Sequence, residues 1–336
     1  MRVLVTGSSG QIGTNLALRL LADGHDVFGV DVRPNTWTDA FPYLLKDLTS
    51  PLGDELPPVD VVVHLAAHAK VHQLVHLPHR ALENTVMTFN VLDHCRRQRI
   101  PIVFSSSREV YGDVHRFEGY DEGTADFAFT ESTYSASKIA GEAFVYSFAR
   151  CYGLPYLVFR FSNVYGRFDN DLHRMVRVIP LFIHSLLRDD PITVYGGHEK
   201  TLDFTYVDDC VEGVVRGIEA LAEGRVVNQT INLAYGRGNT LVRCAELIAA
   251  ELDVEPQMSI APSLLGEVTH YVADISRARD LLGYEPGVPL DDGIVRAVAW
   301  FREHRAAHAD EDRPVATEDS EIGWKTYAAP VDAPDA

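Results

Sequence analysis

This chain has no closely spaced cysteine pair, very little lysine and no long apolar run. Cys95, Cys151, Cys210 and Cys244 are far apart and form no CxxC step. Reduced, mostly buried thiols are expected, with neither a zinc knuckle nor a disulfide framework. Lysine stands only at Lys46, Lys70, Lys138, Lys200 and Lys325. Arginine supplies the rest of the 30 positive charges, which face 48 acidic ones for a formal net charge of −18. A surface of that sign repels nucleic acid and anionic membranes over a Debye length, so no nucleic-acid partner is expected. No apolar stretch approaches the roughly 20 residues of a membrane span. The opening Met1-Arg2-Val3-Leu4-Val5-Thr6-Gly7 also lacks the long apolar core of a signal peptide. A cytoplasmic protein without a membrane partner is the expectation. Histidine is plentiful, and His64, His68, His72, His76 and His79 fall partly on one helical face. No Cys, Asp or Glu stands in register with them, and no metal is expected.

What is present is a chain of 336 residues, 46% hydrophobic, with room for a large core. Short β-branched runs at Val3–Val5, Val27–Val30, Val59–Leu65, Ile100–Ser105 and Leu157–Phe161 read as strands covered on both faces. Helical stretches at Thr14–Asp23, Pro78–Gln98 and Tyr134–Tyr152 alternate with them, and Gly24 and Gly153 stand where helices would stop. Such alternation predicts an α/β fold, a Rossmann-type doubly wound parallel sheet.

After Gly166 the pattern changes. Asp169–Arg188 reads as helical, with a possible break at Val178-Ile179-Pro180. Ile192–Tyr195 and Phe204–Val207 are strand candidates, and Thr230–Leu233 is a strand that would rejoin the main sheet. Helices are expected at Asp208–Glu223, Val242–Leu252, Ser276–Leu282 and Leu290–Arg305, with an irregular stretch at Glu255–Gly266. The expected division is a dinucleotide domain over 1–167 plus about 204–237, and a smaller mixed α/β substrate lobe over 168–203 plus 238–305. The segment 306–336 reads as an acidic tail, disordered or laid on the surface, with Trp324 and Tyr327 as its large side chains.

Two motifs carry chemistry. Gly7-Ser8-Ser9-Gly10-Gln11-Ile12-Gly13 follows the first strand and opens a helix. Gly7 permits the tight turn, Gly10 lets backbone approach a pyrophosphate, and Gly13 lets helix and strand pack closely. The free N–H groups of the helix start then face the phosphates. Asp31 ends the next strand and would accept from both ribose hydroxyls while repelling a 2′-phosphate, favouring NAD; Arg33, two residues on, argues the other way. The second motif is Tyr134-Ser135-Ala136-Ser137-Lys138, whose Tyr and Lys share one helix face. A nearby ammonium and a nicotinamide cation would pull the phenol toward working pH. The phenolate could then take a hydroxyl proton while hydride leaves the carbon, and Ser107 could hydrogen-bond the same hydroxyl.

The two motifs resemble those of the extended short-chain dehydrogenase/reductase family, within it the NAD-dependent nucleotide-sugar epimerase/dehydratase group (UDP-glucose 4-epimerase-like). The matching segments are Thr6–Gly13, His64–Ala67, Phe104–Gly112, Tyr134–Lys138, Arg160–Gly166 and Asp203–Asp209. The resemblance implies Tyr134, Lys138 and Ser107 as catalytic. Gln11 and Ile12 would join the glycines at the cofactor, Asp47 and Leu48 would lie near adenine, and Ala66 and Ala67 would line the site. Asn163 would touch substrate, and dimerisation would run through about Ala81–Arg97 and Tyr134–Tyr152. The substrate implied is a UDP-linked nucleotide sugar.

The chain departs from that pattern in two places. Leu202 and Leu264 stand where relatives carry the arginines that hold the nucleotide diphosphate. Arg167, Arg174 or Arg177 would take over, or the substrate would lack a diphosphate. Arg108-Glu109 replaces the acidic pair of dehydratases, which disfavours dehydration. Glu109 resembles its counterpart in uronic-acid decarboxylases, and Arg108 either pairs a substrate carboxylate or salt-bridges Glu109. The expected activity is C4 epimerisation through a transient 4-keto sugar. Decarboxylation of a uronic-acid nucleotide and net oxidation of a sugar without diphosphate are the alternatives. A catalytically silent NAD-binding protein is the contrary reading, against which the intact Ser107, Tyr134 and Lys138 count.

Overall fold

The computed structural model describes residues 1–307 apart from 54, 114–118, 126, 128, 129, 170–176 and 265, and apart from the side chains of 72 and 305–307. The expected tail from 308 onward, with Trp324 and Tyr327, and the candidate Arg174 lie outside the described residues. The first half runs β1 (Arg2–Thr6), α1 (Gln11–Ala22), β2 (Asp26–Asp31), β3 (Tyr43–Leu45), β4 (Val61–His64), α2 (Val71–His76), α3 (His79–Gln98), β5 (Ile102–Ser107), α4 (Thr133–Tyr152) and β6 (Tyr156–Phe161). The second runs β7 (Asn163–Tyr165), α5 (Val178–Leu186), β8 (Ile192–Tyr195), β9 (Thr201–Tyr206), α6 (Val207–Ala222), β10 (Gln229–Leu233), β11 (Gly238–Thr240), α7 (Leu241–Leu252), β12 (Met258–Ala261), β13 (His270–Tyr271), α8 (Ser276–Leu282) and α9 (Leu290–Ala307).

Seven strands form one sheet in the order β10-β6-β5-β4-β1-β2-β3, parallel throughout. Val3-Leu4-Val5 is wholly buried because helices cover both faces of its strand. The chain builds β1 to β3 outward, then returns to lay β4 on the other side of β1, with Val3 opposite both Val27 and Val61. That reversal opens a crevice at the carboxyl ends of β1 and β4, the place where open α/β sheets bind ligands.

Local chemistry sets α4, the helix that matters most for the site. Ser132 and Ser135 form a reciprocal capping box at its start, and Gly153, left-handed at φ 68°, ends it. Gly141 brings it close to the sheet, since a Cβ there would lie 2.5 Å from the Phe104 ring. Buried Glu142 fastens α4 to β6 through a two-pronged bond from Arg160, at 2.8 and 2.7 Å, and to β5 through Ser106 at 2.6 Å.

Beyond β7 the smaller sheets take over. β9 pairs with β7, β11 and β13, and β8 pairs with β12. Two expectations need correction. The stretch 255–266 is not irregular throughout, because β12 lies parallel to β8; its side chains are largely exposed, so it shows no alternation. The helix expected over 169–188 is observed as Val178–Leu186 with Pro180 inside it rather than as a break, and 170–176 lie outside the described residues. Proline in a first turn gives up an N–H that has no intrahelical partner there.

Candidate active site

The carboxyl ends of β1, β2, β4 and β5 open into a cavity of about 1090 Å3, large enough for a dinucleotide and a second ligand side by side. Gly7, Gly10, Gln11, Ile12, Gly13, Asp31, Asp47, Leu48, Ala66 and Ala67 line it, as do Ser107, Arg108, Glu109, Tyr134, Lys138, Asn163 and Arg177.

The three glycines of the turn are bare for different reasons. A Cβ on Gly13 would lie 2.1 Å from the Gly7 carbonyl oxygen, and one on Gly7, at φ +72°, 2.7 Å from the Ala66 nitrogen. Those two serve the chain's own packing. A Cβ on Gly10 would meet only the Gly7 carbonyl oxygen, at 3.3 Å. Its bareness leaves room toward the cavity, as close approach of a pyrophosphate requires. Gly10 also caps α1 without any side-chain acceptor, so the first N–H groups of the helix remain for an anion. Asp31 is held in place as it accepts from the Ser9 and Arg33 N–H groups at 2.9 and 3.1 Å. Asp47 is fixed in turn by the N–H and hydroxyl of Thr49, both at 2.8 Å. These residues fit a dinucleotide with an unphosphorylated 2′-hydroxyl.

Tyr134 and Lys138 stand one helical turn apart at the start of α4 and are both buried. The Lys138 ammonium donates to the Ser105 carbonyl at 2.7 Å and lies 5.8 Å from the Tyr134 ring centroid. Burial pushes Lys138 down to about 8. Burial, reinforced by the Glu109 charge, pushes Tyr134 up to about 12; Ser107, Arg108 and Arg177 act against that rise. In the chain alone Ser107, Arg108 and Arg177 draw the phenol down, against burial and Glu109. His64 bridges Thr6 at 2.7 Å and Thr88 at 3.3 Å, and burial lowers it to about 3, so it is a neutral strut inside the sheet.

The expected anion-binding arginines are scattered. Arg167 is no part of the cavity lining; it pairs with Asp208 at 2.5 Å on the surface. Arg177 lines the cavity but bonds Gln11 and, at 2.5 Å, Asp169, which ties it to the glycine turn. Leu202 and Leu264 both line the cavity. Arg108 bonds the Glu109 carboxylate at 3.0 Å, which decides between its two readings for the chain alone. One guanidinium nitrogen, Arg108 Nη1, and one carboxylate oxygen, Glu109 Oε2, stay buried without partners. An unused donor beside an unused acceptor complements sugar hydroxyls, which do both. Asn163 spends its amide N–H on the Asp203 carbonyl, at 3.0 Å.

Sequence reasoning missed Lys200 and Glu267, which pair at 2.5 Å in the cavity wall. The signal was there: Lys200 precedes Leu202 by two, so an extended chain puts both on one face.

Comparison with known proteins agrees with this geometry. A profile of the NAD dependent epimerase/dehydratase family matches residues 3–234. The UDP-glucose 4-epimerase of Mycolicibacterium smegmatis is 31% identical over 319 residues, covering 90% of this chain and 99% of that protein. UDP-glucuronic acid decarboxylase 1 of Xenopus tropicalis is 31% identical over 325 residues, covering 91% of this chain and 74% of that protein. The crystal structure of a UDP-glucuronic acid 4-epimerase from Bacillus cereus, in complex with UDP-glucuronic acid and NAD, superposes with a TM-score of 0.80 at 25% identity. It covers 90% of this chain and all of that one.

Proposed function

The chain belongs to the NAD dependent epimerase/dehydratase family, and from that premise we propose that it inverts C4 of a nucleotide sugar, UDP-linked, through a transient 4-keto sugar. The observation that carries this reading is the presence of Ser107, Tyr134 and Lys138 in one cavity with the glycine turn and Asp31. NAD is the cofactor, and when bound it supplies a two-electron acceptor that returns what it takes.

The chain's own residues do the rest. The N–H groups after Gly10, with Gln11 and Ile12, would face the pyrophosphate, and Asp31 would take the ribose hydroxyls. Asp47 and Leu48 would border adenine, and Ala66, Ala67 and Lys138 would close the inner wall. Ser107 holds the sugar O4 beside Tyr134. With the bound cofactor accepting the electron pair, the Tyr134 phenolate would take the O4 proton as the C4 carbinol becomes a carbonyl. After the sugar turns its other face, Tyr134 would return the proton to O4 as the cofactor gives the electron pair back to C4. Arg108 and Glu109 hold neighbouring sugar hydroxyls with their unused donor and acceptor. Asn163 and Arg177 border the substrate on the remaining sides.

The unpaired oxygen of buried Glu109 favours a second reading, decarboxylation of a uronic-acid nucleotide, which releases carbon dioxide. Net accumulation of NADH would instead mark a sugar dehydrogenase. We propose a homodimer as well, because α3 leaves Leu82, Val86 and Phe89 exposed at helical spacing beside α4. No helix among the described residues is long and apolar enough to cross a membrane, and cytoplasmic residence is part of the proposal.

Incubation of the purified protein with UDP-, GDP-, CDP- and dTDP-sugars, without reductant, tests the assignment. Interconversion of a C4 pair is expected, and Tyr134→Phe should lower its rate by roughly 10²–10⁴-fold with NAD still bound. Absence of interconversion across the panel refutes it.

A further inference from the structure

The wall formed by β9 and the loop before β13 presents Leu202 and Leu264, neither of which can bond an anion. Lys200, Leu202 and Phe204 line the cavity there, whereas Thr201 and Asp203 do not. That alternation is the mark of an extended chain with one face on the cavity. Lys200 thus shares its face with Leu202, one pleat upstream. Its side chain is only 4% exposed, and its ammonium donates to Glu267 at 2.5 Å. Glu267 follows Leu264 by three residues and lines the same cavity, yet keeps 30% of its side chain exposed.

The lysine is seated by design of the turn beneath it. Gly196 sits at φ +98°, and a Cβ there would lie 2.5 Å from Lys200 Cδ and 3.0 Å from Lys200 Cβ. The stem fills the room that the glycine leaves. Of the arginines weighed above, Arg177 bonds Gln11 and Asp169, Arg167 pairs with Asp208 outside the cavity, and Arg108 pairs with Glu109 and keeps only Nη1 unused.

We propose that Lys200 is the cation that holds the diphosphate of the nucleotide sugar, and that Glu267 is its resident competitor. The inference rests on the nucleotide-sugar reading and names the residue that grips its anionic part. An ammonium has three donors and acts as a point charge, so it does not need the planar fork that an arginine offers. A diphosphate brings more negative charge than one carboxylate. Glu267, already partly in water, can turn outward when the diphosphate arrives, whereas Lys200, walled in by the turn, stays. The pair therefore keeps a buried cation neutralised until substrate replaces its partner.

Titration of the NAD-bound protein with UDP, and with uridine as a probe lacking the diphosphate, tests this. Lys200→Met should weaken UDP roughly 10- to 100-fold and leave uridine unchanged, the worth of one lost charge-assisted bond. Glu267→Gln should tighten UDP, because the competitor is gone. In turnover, Lys200→Met raises KM with kcat little changed, and Lys200→Arg restores much of the affinity. Removing one partner of a buried pair can unfold a protein, so the double variant Lys200→Met/Glu267→Met serves as the apolar replacement that folds; it should bind UDP as weakly as Lys200→Met. Equal loss of UDP and uridine affinity, a Glu267→Gln variant as weak as Lys200→Met, or no binding of UDP to the unaltered protein each overturns the proposal. UDP binding that depends on Lys200 without any sugar interconversion would sustain it while refuting epimerisation.

Discussion

Arg108 and Glu109 adjoin in the chain yet act on the Tyr134 phenol with opposite sign, which makes them a probe of the base. Burial is the largest cause that holds Tyr134 at about 12; Glu109 adds to it, while Ser107, Arg108 and Arg177 oppose it. Relative to an ordinary tyrosine near 10, forming the phenolate costs about 2.7 kcal/mol more. Across a medium of effective dielectric about 20, a unit charge ~10 Å away is worth about 1.7 kcal/mol, a little over one pKa unit. Glu109→Gln deletes the negative charge and strips Arg108 of its counter-ion, so the phenolate forms more readily. A base works when deprotonated and fails as pH falls through its pKa. A lower pKa therefore carries the acidic limb of kcat/KM to lower pH, here by about one unit. Arg108→Met leaves the Glu109 charge uncompensated and carries the limb to higher pH by a similar amount. The effect requires an ionised Glu109, whose own pKa burial raises and Arg108 lowers. The assay is the pH profile of kcat/KM on the nucleotide sugar with NAD bound, beside the tyrosinate absorbance of each variant. Two shifts of the same sign, or none, refute the assignment of Tyr134 as the titrating base.

Three further outcomes follow from the geometry. Gly10→Ala, at an ordinary φ of −83°, should keep the melting temperature and lose bound NAD, whereas Gly13→Ala, which meets the Gly7 carbonyl at 2.1 Å, should cost about 1–3 kcal/mol of stability in a denaturant titration. Phe89→Glu should convert a dimer to a monomer by light scattering without unfolding it, since Phe89 is 43% exposed on the described chain.

The parts of the fold that could be read from the sequence are those whose pattern has one cause. Val3–Val5 is apolar because both sheet faces are covered, and α4 announces its end with Gly153. β12 and the two-residue β13 carry no such mark, because partners elsewhere in the chain, β8 and β9, make them strands. The glycine turn and the Tyr134–Lys138 spacing were equally plain, since each follows from backbone geometry alone. The sign of the Tyr134 shift was not, because burial and the nearness of Glu109 are tertiary facts. Lys200 lies far in sequence from the arginines that follow Gly166, and only its parity with Leu202 along an extended chain marks it.

That parity also explains how the cavity wall tolerates leucines where a charge is expected. Asp203 is wholly buried on the opposite face of β9, where its carboxylate accepts N–H bonds from Tyr235 at 3.1 Å, Gly236 at 2.9 Å and Ala273 at 3.3 Å. Its carbonyl meanwhile takes the Asn163 amide at 3.0 Å. The strand is therefore fixed in place from behind, by one residue whose bonds reach three separate segments. Lys200, Leu202 and Phe204 alternate with Asp203 and take no part in those hydrogen bonds; Leu202 and Phe204 pack into the core instead. A cation can move two residues along such a strand and still face the same ligand, with the frame unchanged. Along this stretch the side chains that face the cavity and the carboxylate that ties the strand down thus fall on alternate residues, so a change on the cavity face leaves the Asp203 bonds in place.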